Sequence, residues 1–216
     1  MNEFGLVIAV PRGALMSGSV DRLEAAGLDV AEIRVNDRKL LFADVGVVTM
    51  RPSDVPTYVE SGAADVGITG SDVLLEHPER QVFELADLDF GHCKMVVASE
   101  QGPDRAESAL SRLGTIRVAT KYPNIAAEYF EQTGRQVELV TVNGSVELAP
   151  LTGLAEAIVD LTASGATIRE NGLVVREEIV DISARLIANR VSHRLKADAI
   201  ERLSDLLTRF PSRQTG

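Results

Sequence analysis

Short apolar runs alternate with stretches of helical periodicity along nearly the whole chain, the pattern of an α/β protein. Residues 4–10 (FGLVIAV) predict a first buried strand, broken at Pro11-Arg12-Gly13, and residues 15–26 predict a helix stopped by Gly27. Residues 46–50 are a second short strand. Pro52 and Ser53 then open a helix that runs to Gly62. Strands follow at 65–69 and 82–85. The first leads into Gly70-Ser71-Asp72, where Ser71 or Asp72 is placed to cap the next turn.

A change of unit is expected near residues 87–92. Beyond it, strands at 93–99, 115–119 and 136–142 alternate with helices at 104–113 and 122–133. An apolar strand at 157–161 comes next. Residues 173–182 alternate imperfectly and are expected to cross back to the first unit. Residues 193–210 predict an amphipathic helix with Leu195, Ala199, Leu203, Leu206 and Leu207 near one face, and the tail from Pro211 is polar. The organisation expected is two α/β lobes with a ligand cleft between them. Residues 1–90 begin lobe I, 91–178 form lobe II, and 179–216 return to lobe I with the C-terminal helix.

Composition narrows the function class. The 216 residues carry a formal charge of -10, from 22 basic and 32 acidic side chains, so the net field repels nucleic acid and anionic membranes. Aromatic residues are 4% with no Trp, fewer than base-stacking proteins use. Anionic small molecules stay open, because backbone N–H groups and a few basic side chains hold a phosphate locally. Cys93 is the single cysteine, which excludes an intrachain disulfide, and His77, His92 and His193 are spaced too widely to suggest zinc. No secretion signal opens the chain and no apolar run reaches membrane-span length, so a cytoplasmic enzyme or binding protein is expected.

The strongest local chemistry lies at residues 143–173. The strand at 157–161 ends in the compact turn Ser164-Gly165-Ala166-Thr167, which offers two hydroxyls and several backbone N–H groups to an anion. Gly165 permits close backbone approach. The same residues also make an ordinary strand-to-helix turn with Thr167 as a cap. Asp160 falls at the carboxyl end of the strand, where ligands of open α/β sheets gather. Glu147, in the turn beginning Asn143-Gly144-Ser145, either holds a hydroxyl or metal-bound water, or is solvated. Arg12 follows the first strand and either grips a diphosphate with its planar fork or lies on the surface. Lys121, Arg51 and Arg169 carry the same two readings. Residues 67–72 (GITGSD) place two glycines around a strand end but lack a Walker ending. Cys93 reads as core packing rather than a nucleophile.

Several long segments carry a resemblance. PRGAL at 11–15, DVPTYVESGAADVGITGSDVL at 54–74, FGHCKMVVA at 90–98, IRVATKYPNIAAEYF at 116–130 and the 143–173 motif resemble, in order, the short form of ATP phosphoribosyltransferase. The resemblance implies the two-lobed, type II periplasmic-binding-protein-like fold with a central cleft. It implies transfer of the 5-phosphoribosyl group from 5-phosphoribosyl 1-diphosphate to N1 of ATP, the first step of histidine biosynthesis. Mg2+ on the diphosphate is the implied cofactor, with no metal site of the protein's own. Ser164, Gly165, Ala166 and Thr167 would then hold the 5-phosphate, with Asp160 and Glu147 by the ribose hydroxyls. Arg12 and Lys121 would lie near the diphosphate or the ATP phosphates, Gly70 and Asp72 would line the opposite wall, and Arg51 would reach substrate. The resemblance also implies a homodimer and a hetero-octamer with a histidyl-tRNA-synthetase-like regulatory subunit. A regulatory domain after residue 210, as in the long form, is not expected.

Two departures stand out. The family's first loop usually reads PKGRL, so Ala14 replaces its second basic residue and leaves Arg12 more of the work. Ser164 replaces a usual threonine and keeps the hydroxyl. A non-catalytic anion-binding protein of the same fold is the main alternative. A weakly active scaffolding subunit and a phosphoribosyltransferase with another nucleophile are the others.

Overall fold

A computed structural model describes residues 2–209, which divide into two units. One is built from the chain up to Gly91 and from Ser183 onward, the other from His92–Ile182. The helix end and tail expected at 210–216 lie outside the described residues.

The first unit begins with β1 (Ile8–Pro11), α1 (Met16–Ala25), α2 (Ala31–Val35), β2 (Leu41–Phe42) and β3 (Val47–Met50). It continues with α3 (Val55–Glu60), β4 (Val66–Gly70), α4 (Ser71–Glu76) and β5 (Val82–Asp87). The second unit holds β6 (Cys93–Glu100), α5 (Arg105–Leu113), β7 (Ile116–Thr120), α6 (Pro123–Gln132) and β8 (Val137–Thr141). It is completed by α7 (Leu148–Leu151), β9 (Ala157–Thr162), α8 (Ala166–Glu170) and β10 (Leu173–Ile182). The chain then returns as β11 (Ala184–Asn189), α9 (Arg190–Leu195) and α10 (Ala197–Thr208).

The first sheet has the order β2-β3-β1-β4-β11-β5. β1 pairs in parallel with β3 and β4, whereas β11 is antiparallel to both its neighbours. One face packs on α1 and α10 through Leu23, Ile68, Leu186, Leu203 and Leu207. The other packs on α3 through Ala9, Val55, Val59 and Ile187. Gly67 belongs to this second face. A Cβ there would stand 2.6 Å from Val55 and 2.8 Å from Val59, so this glycine admits the helix rather than a ligand.

The second sheet has the order β10-β6-β9-β7-β8, with β7 parallel to β8 and β9, and β6 antiparallel to β9 and β10. Met95, Val118, Ile125 and Phe130 fill one side, and Ala98, Val146, Ile158 and Ile168 the other.

Three expectations change. Residues 173–182 do not cross back: β10 stays in the second unit, paired along β6, and the return follows Ile182. Register shifts between Val175 and Glu177 and between Glu178 and Val180 account for the imperfect alternation. Residues 184–189, left without an element in the sequence, form a strand between β4 and β5. The expected C-terminal helix is two helices meeting at Lys196, whose backbone leaves helical geometry (φ -127°, ψ 33°). The break takes Leu195 off the apolar face and leaves it 79% exposed.

Candidate active site

The chain leaves β7, crosses through α6 to β8 on one side, and through α7 reaches β9 on the other. The carboxyl end of β7 is therefore a topological switch point, where diverging connections open a crevice for ligand. Thr120 secures that end. Its hydroxyl donates to the Val159 carbonyl at 2.7 Å and accepts the Tyr122 N–H at 2.9 Å. The turn so fixed projects Lys121, whose ammonium lies 4.8 Å from the Tyr122 ring centre.

Asp160 stands on the adjoining β9. Its Oδ1 accepts the Leu161 N–H at 2.8 Å. Burial pushes its carboxyl above the ordinary aspartate range. The Leu161 N–H and the Lys121 charge oppose that rise, and the Glu147 charge adds to it. The charges of Lys121 and Glu147, expected separately in the sequence, thus both act on the Asp160 carboxyl. Glu147 precedes α7 in a turn whose left-handed residue is Ser145 (φ 48°), not the neighbouring Gly144. Positive φ at a residue with a side chain is a costly conformation of the kind found at ligand-holding loops.

β9 ends at Thr162 and the chain turns through 163–165 into α8. Gly165 occupies the left-handed region (φ 71°) as the residue before the helix. Its N–H donates to Thr162 Oγ1 at 2.9 Å, and the Ala166 N–H donates to Ser164 Oγ at 3.3 Å. Two of the backbone donors expected for an anion are therefore engaged within the turn. The Ser164 hydroxyl still has its proton to donate, and the Thr167 and Ile168 N–H groups lie in the first helical turn, where no intrahelical acceptor exists. The sequence did not single out Thr162, although a threonine three residues before a glycine at a strand end is a recognisable turn signal. Glu156, four residues before Asp160, lies elsewhere: it pairs with Arg117 at the start of β7.

The first unit repeats the switch-point arrangement. From β1 the chain passes through α1 to β3 on one side, and later through α3 to β4 on the other. Arg12, Arg51 and Gly70 sit at the carboxyl ends of these three parallel strands. The Arg12 N–H donates to the Met50 carbonyl at 2.7 Å, which fixes the strand ends side by side, and its guanidinium donates to the Asp37 carbonyl. Gly13 follows with φ 79°. Gly70 precedes α4, and a Cβ there would collide with the Asp72 carboxylate. The residue before that helix is Gly70, which has no side chain to cap it. The Ser71 hydroxyl instead accepts the Ser183 N–H at 3.2 Å. Cys93 is the partly exposed first residue of β6.

No group of three or more His, Cys, Asp or Glu side chains is placed to hold a metal among the described residues. Mg2+ needs no such cage, because it is commonly held by one or two carboxylates together with substrate phosphates. Asp160 and Glu147 supply donors of that kind.

Two mixed β-sheet units with flanking helices, each with a switch point, define a type II periplasmic-binding-protein-like fold. The fold is shared with the periplasmic VFT2 domain of Bordetella pertussis BvgS (TM-score 0.55, 16% identity, 94% of this chain and 92% of that one). It is shared too with the periplasmic aliphatic sulphonate binding protein SsuA of Escherichia coli (TM-score 0.58, 13% identity, 93% and 71%). Residues 51–209 match the family HisG: ATP phosphoribosyltransferase. The chain is 53% identical over 195 residues to ATP phosphoribosyltransferase of Rubrobacter xylanophilus, covering 89% of this chain and 90% of that one. It is 47% identical over 205 residues to that of Ruminiclostridium cellulolyticum, covering 93% and 94%. The ATP phosphoribosyl transferase (HisG:HisZ) complex from Thermotoga maritima superposes with a TM-score of 0.75 at 33% identity, over 93% of this chain and 97% of that one. The chain belongs to the ATP phosphoribosyltransferase family, in its short form.

Proposed function

We propose that the protein transfers the 5-phosphoribosyl group from 5-phosphoribosyl 1-diphosphate to N1 of ATP, giving N1-(5-phosphoribosyl)-ATP and diphosphate, the first step of histidine biosynthesis. The observation that supports the reading, beyond family membership, is that Asp160 lies on β9, four residues before the 164–167 turn, with its carboxyl under the charges of Lys121, at the end of the adjoining β7, and of Glu147, before α7. One C–N bond forms as one C–O bond breaks, and no nucleophile of the protein is required. Catalysis is then positioning and electrostatics. Ser164, Gly165, Ala166 and Thr167 hold the 5-phosphate. Asp160 and Glu147 hold the ribose hydroxyls and favour positive charge developing on the ring. Arg12 and Lys121 take the diphosphate or the ATP phosphates, with Arg51, Gly70 and Asp72 lining the substrate. Mg2+, when bound to the diphosphate, supplies charge neutralisation of the leaving group.

The Thermotoga structure is a HisG:HisZ complex. By analogy the protein forms a homodimer and assembles in a hetero-octamer with a histidyl-tRNA-synthetase-like regulatory subunit in the cytoplasm. No helix among the described residues is long and apolar enough to cross a membrane. The test is product absorbance from both substrates with Mg2+, with and without the regulatory subunit. No product under either condition sinks the assignment.

A further inference from the structure

The phosphate turn contains a cation that none of the roles above uses. Arg169, on α8, bends back across the turn and donates from Nη1 to the Ser164 carbonyl at 3.0 Å. The path passes over Gly165. An ideal Cβ on Gly165 would stand 2.7 Å from that nitrogen. Glycine is thus favoured at 165 for its positive φ, and a side chain there would shift the guanidinium away from this position.

The charge environment of Arg169 differs from that of the ion-paired arginines of this chain. Acidic residues outnumber basic ones 32 to 22, and Arg34, Arg117, Arg135 and Arg185 all pair with carboxylates. Arg169 has no carboxylate partner among the described residues; its side chain is spent on its own turn. A guanidinium carries five N–H donors in a rigid fork suited to phosphate, so one bond to a carbonyl leaves donors for an anion.

We propose that Arg169 is the cation of the 5-phosphate subsite, closing the Ser164–Gly165 turn with one N–H and presenting others to the phosphate that the turn receives. The proposal rests on the reading of 164–167 as the 5-phosphate turn. Arg169 is distinct from Lys121, which stands at the end of another strand.

The experiment is calorimetric titration of the full-length chain with ribose 5-phosphate and, separately, with inorganic diphosphate. Arg169→Met is expected to weaken ribose 5-phosphate about tenfold or more, the change expected from losing a charge-assisted hydrogen bond. It should leave diphosphate affinity within about twofold, and Arg169→Lys should restore part of the loss. Gly165→Asn is the second variant. Asparagine tolerates positive φ, but its Cβ displaces Arg169, so the loss should match that of Arg169→Met and not add to it in the double variant. Unchanged ribose 5-phosphate affinity in Arg169→Met, with Thr167→Ala still weakened, overturns the role of Arg169 and spares the turn. Unchanged affinity in both overturns the turn as well. Equal loss of both ligands with a lowered melting temperature shows a merely structural arginine and also overturns the proposal.

Discussion

Arg135 and Glu177 form a two-pronged ion pair, Nη1 to Oε1 at 2.6 Å and Nη2 to Oε2 at 2.9 Å, that ties the turn after α6 to the middle of β10. The Tyr129 hydroxyl adds a bond of 2.6 Å to Oε2, and the guanidinium lies 4.8 Å from the Phe130 ring centre. Arg135 holds the Glu177 carboxyl below the usual range, against burial and with help from Tyr129. A depressed carboxyl stabilises the fold above its unfolded pKa, and the contribution fades as pH falls through the folded value. Glu177→Ala should cost about 1 kcal/mol at neutral pH, since the pair is partly exposed. Thermal unfolding of both proteins should show the gap closing in acid. The Tyr129 phenol, raised by burial and then by Glu177, should titrate at lower pH in the variant by ultraviolet absorbance.

Asp65 offers a second acid-sensitive link. Lys196 donates to both its oxygens at 2.9 and 3.0 Å, Ser192 to Oδ1 at 2.6 Å, and the Val7 N–H to Oδ2 at 2.8 Å. Burial pushes this carboxyl up, but the three donors outweigh it and the net shift is downward. Its contribution is complete above about pH 4 and is lost below, as the folded value is passed. Lys196→Met leaves a buried carboxylate short of its cation and should lower stability by about 2 kcal/mol in urea unfolding at pH 7.

Asp160 has the opposite sign. Its folded pKa lies above the unfolded one, so its contribution to stability declines as pH rises from about 4 through the folded value. Above the folded pKa the ionised carboxylate opposes folding. Asp160→Asn should therefore raise stability by about 1 kcal/mol while reducing kcat roughly a hundredfold or more. A variant both less stable and fully active would contradict the assigned role.

Thr167→Ala separates binding from folding at the phosphate turn. The Thr167 side chain is exposed, so melting should change little. Affinity for 5-phosphoribosyl 1-diphosphate should fall by roughly 1.5–3 kcal/mol by calorimetry.

The legible parts of this protein were those decided locally. Apolar runs ending in glycine, proline or lysine marked β1, β7 and β9, and these strand ends carry Arg12, Lys121 and Asp160. The illegible parts depend on distant partners. Gly67 stood out in the sequence only as one of two glycines around a strand end, because Val55 and Val59, which need its missing side chain, arrive on another element. β11 was hidden because bulges in β10 blur the alternation before it and Arg185 interrupts its own apolar run. Leu195 was placed with the core because periodicity cannot register the break at Lys196. The perturbation of Asp160 comes partly from Glu147 in a separate turn, and strand spacing carries no trace of it.

The position of β11 between β4 and β5 also constrains how the protein is made. A ribosome releases β1 to β5 first, then all of the second unit, and only afterwards the strand that joins β4 to β5. At roughly 5–20 residues per second, the nascent first sheet waits on the order of ten seconds with an empty slot between β4 and the edge strand β5. The second unit, continuous in the chain, completes its own sheet during that interval. The apolar edges flanking the slot are where a chaperone, or a neighbouring nascent chain, would find this protein most vulnerable.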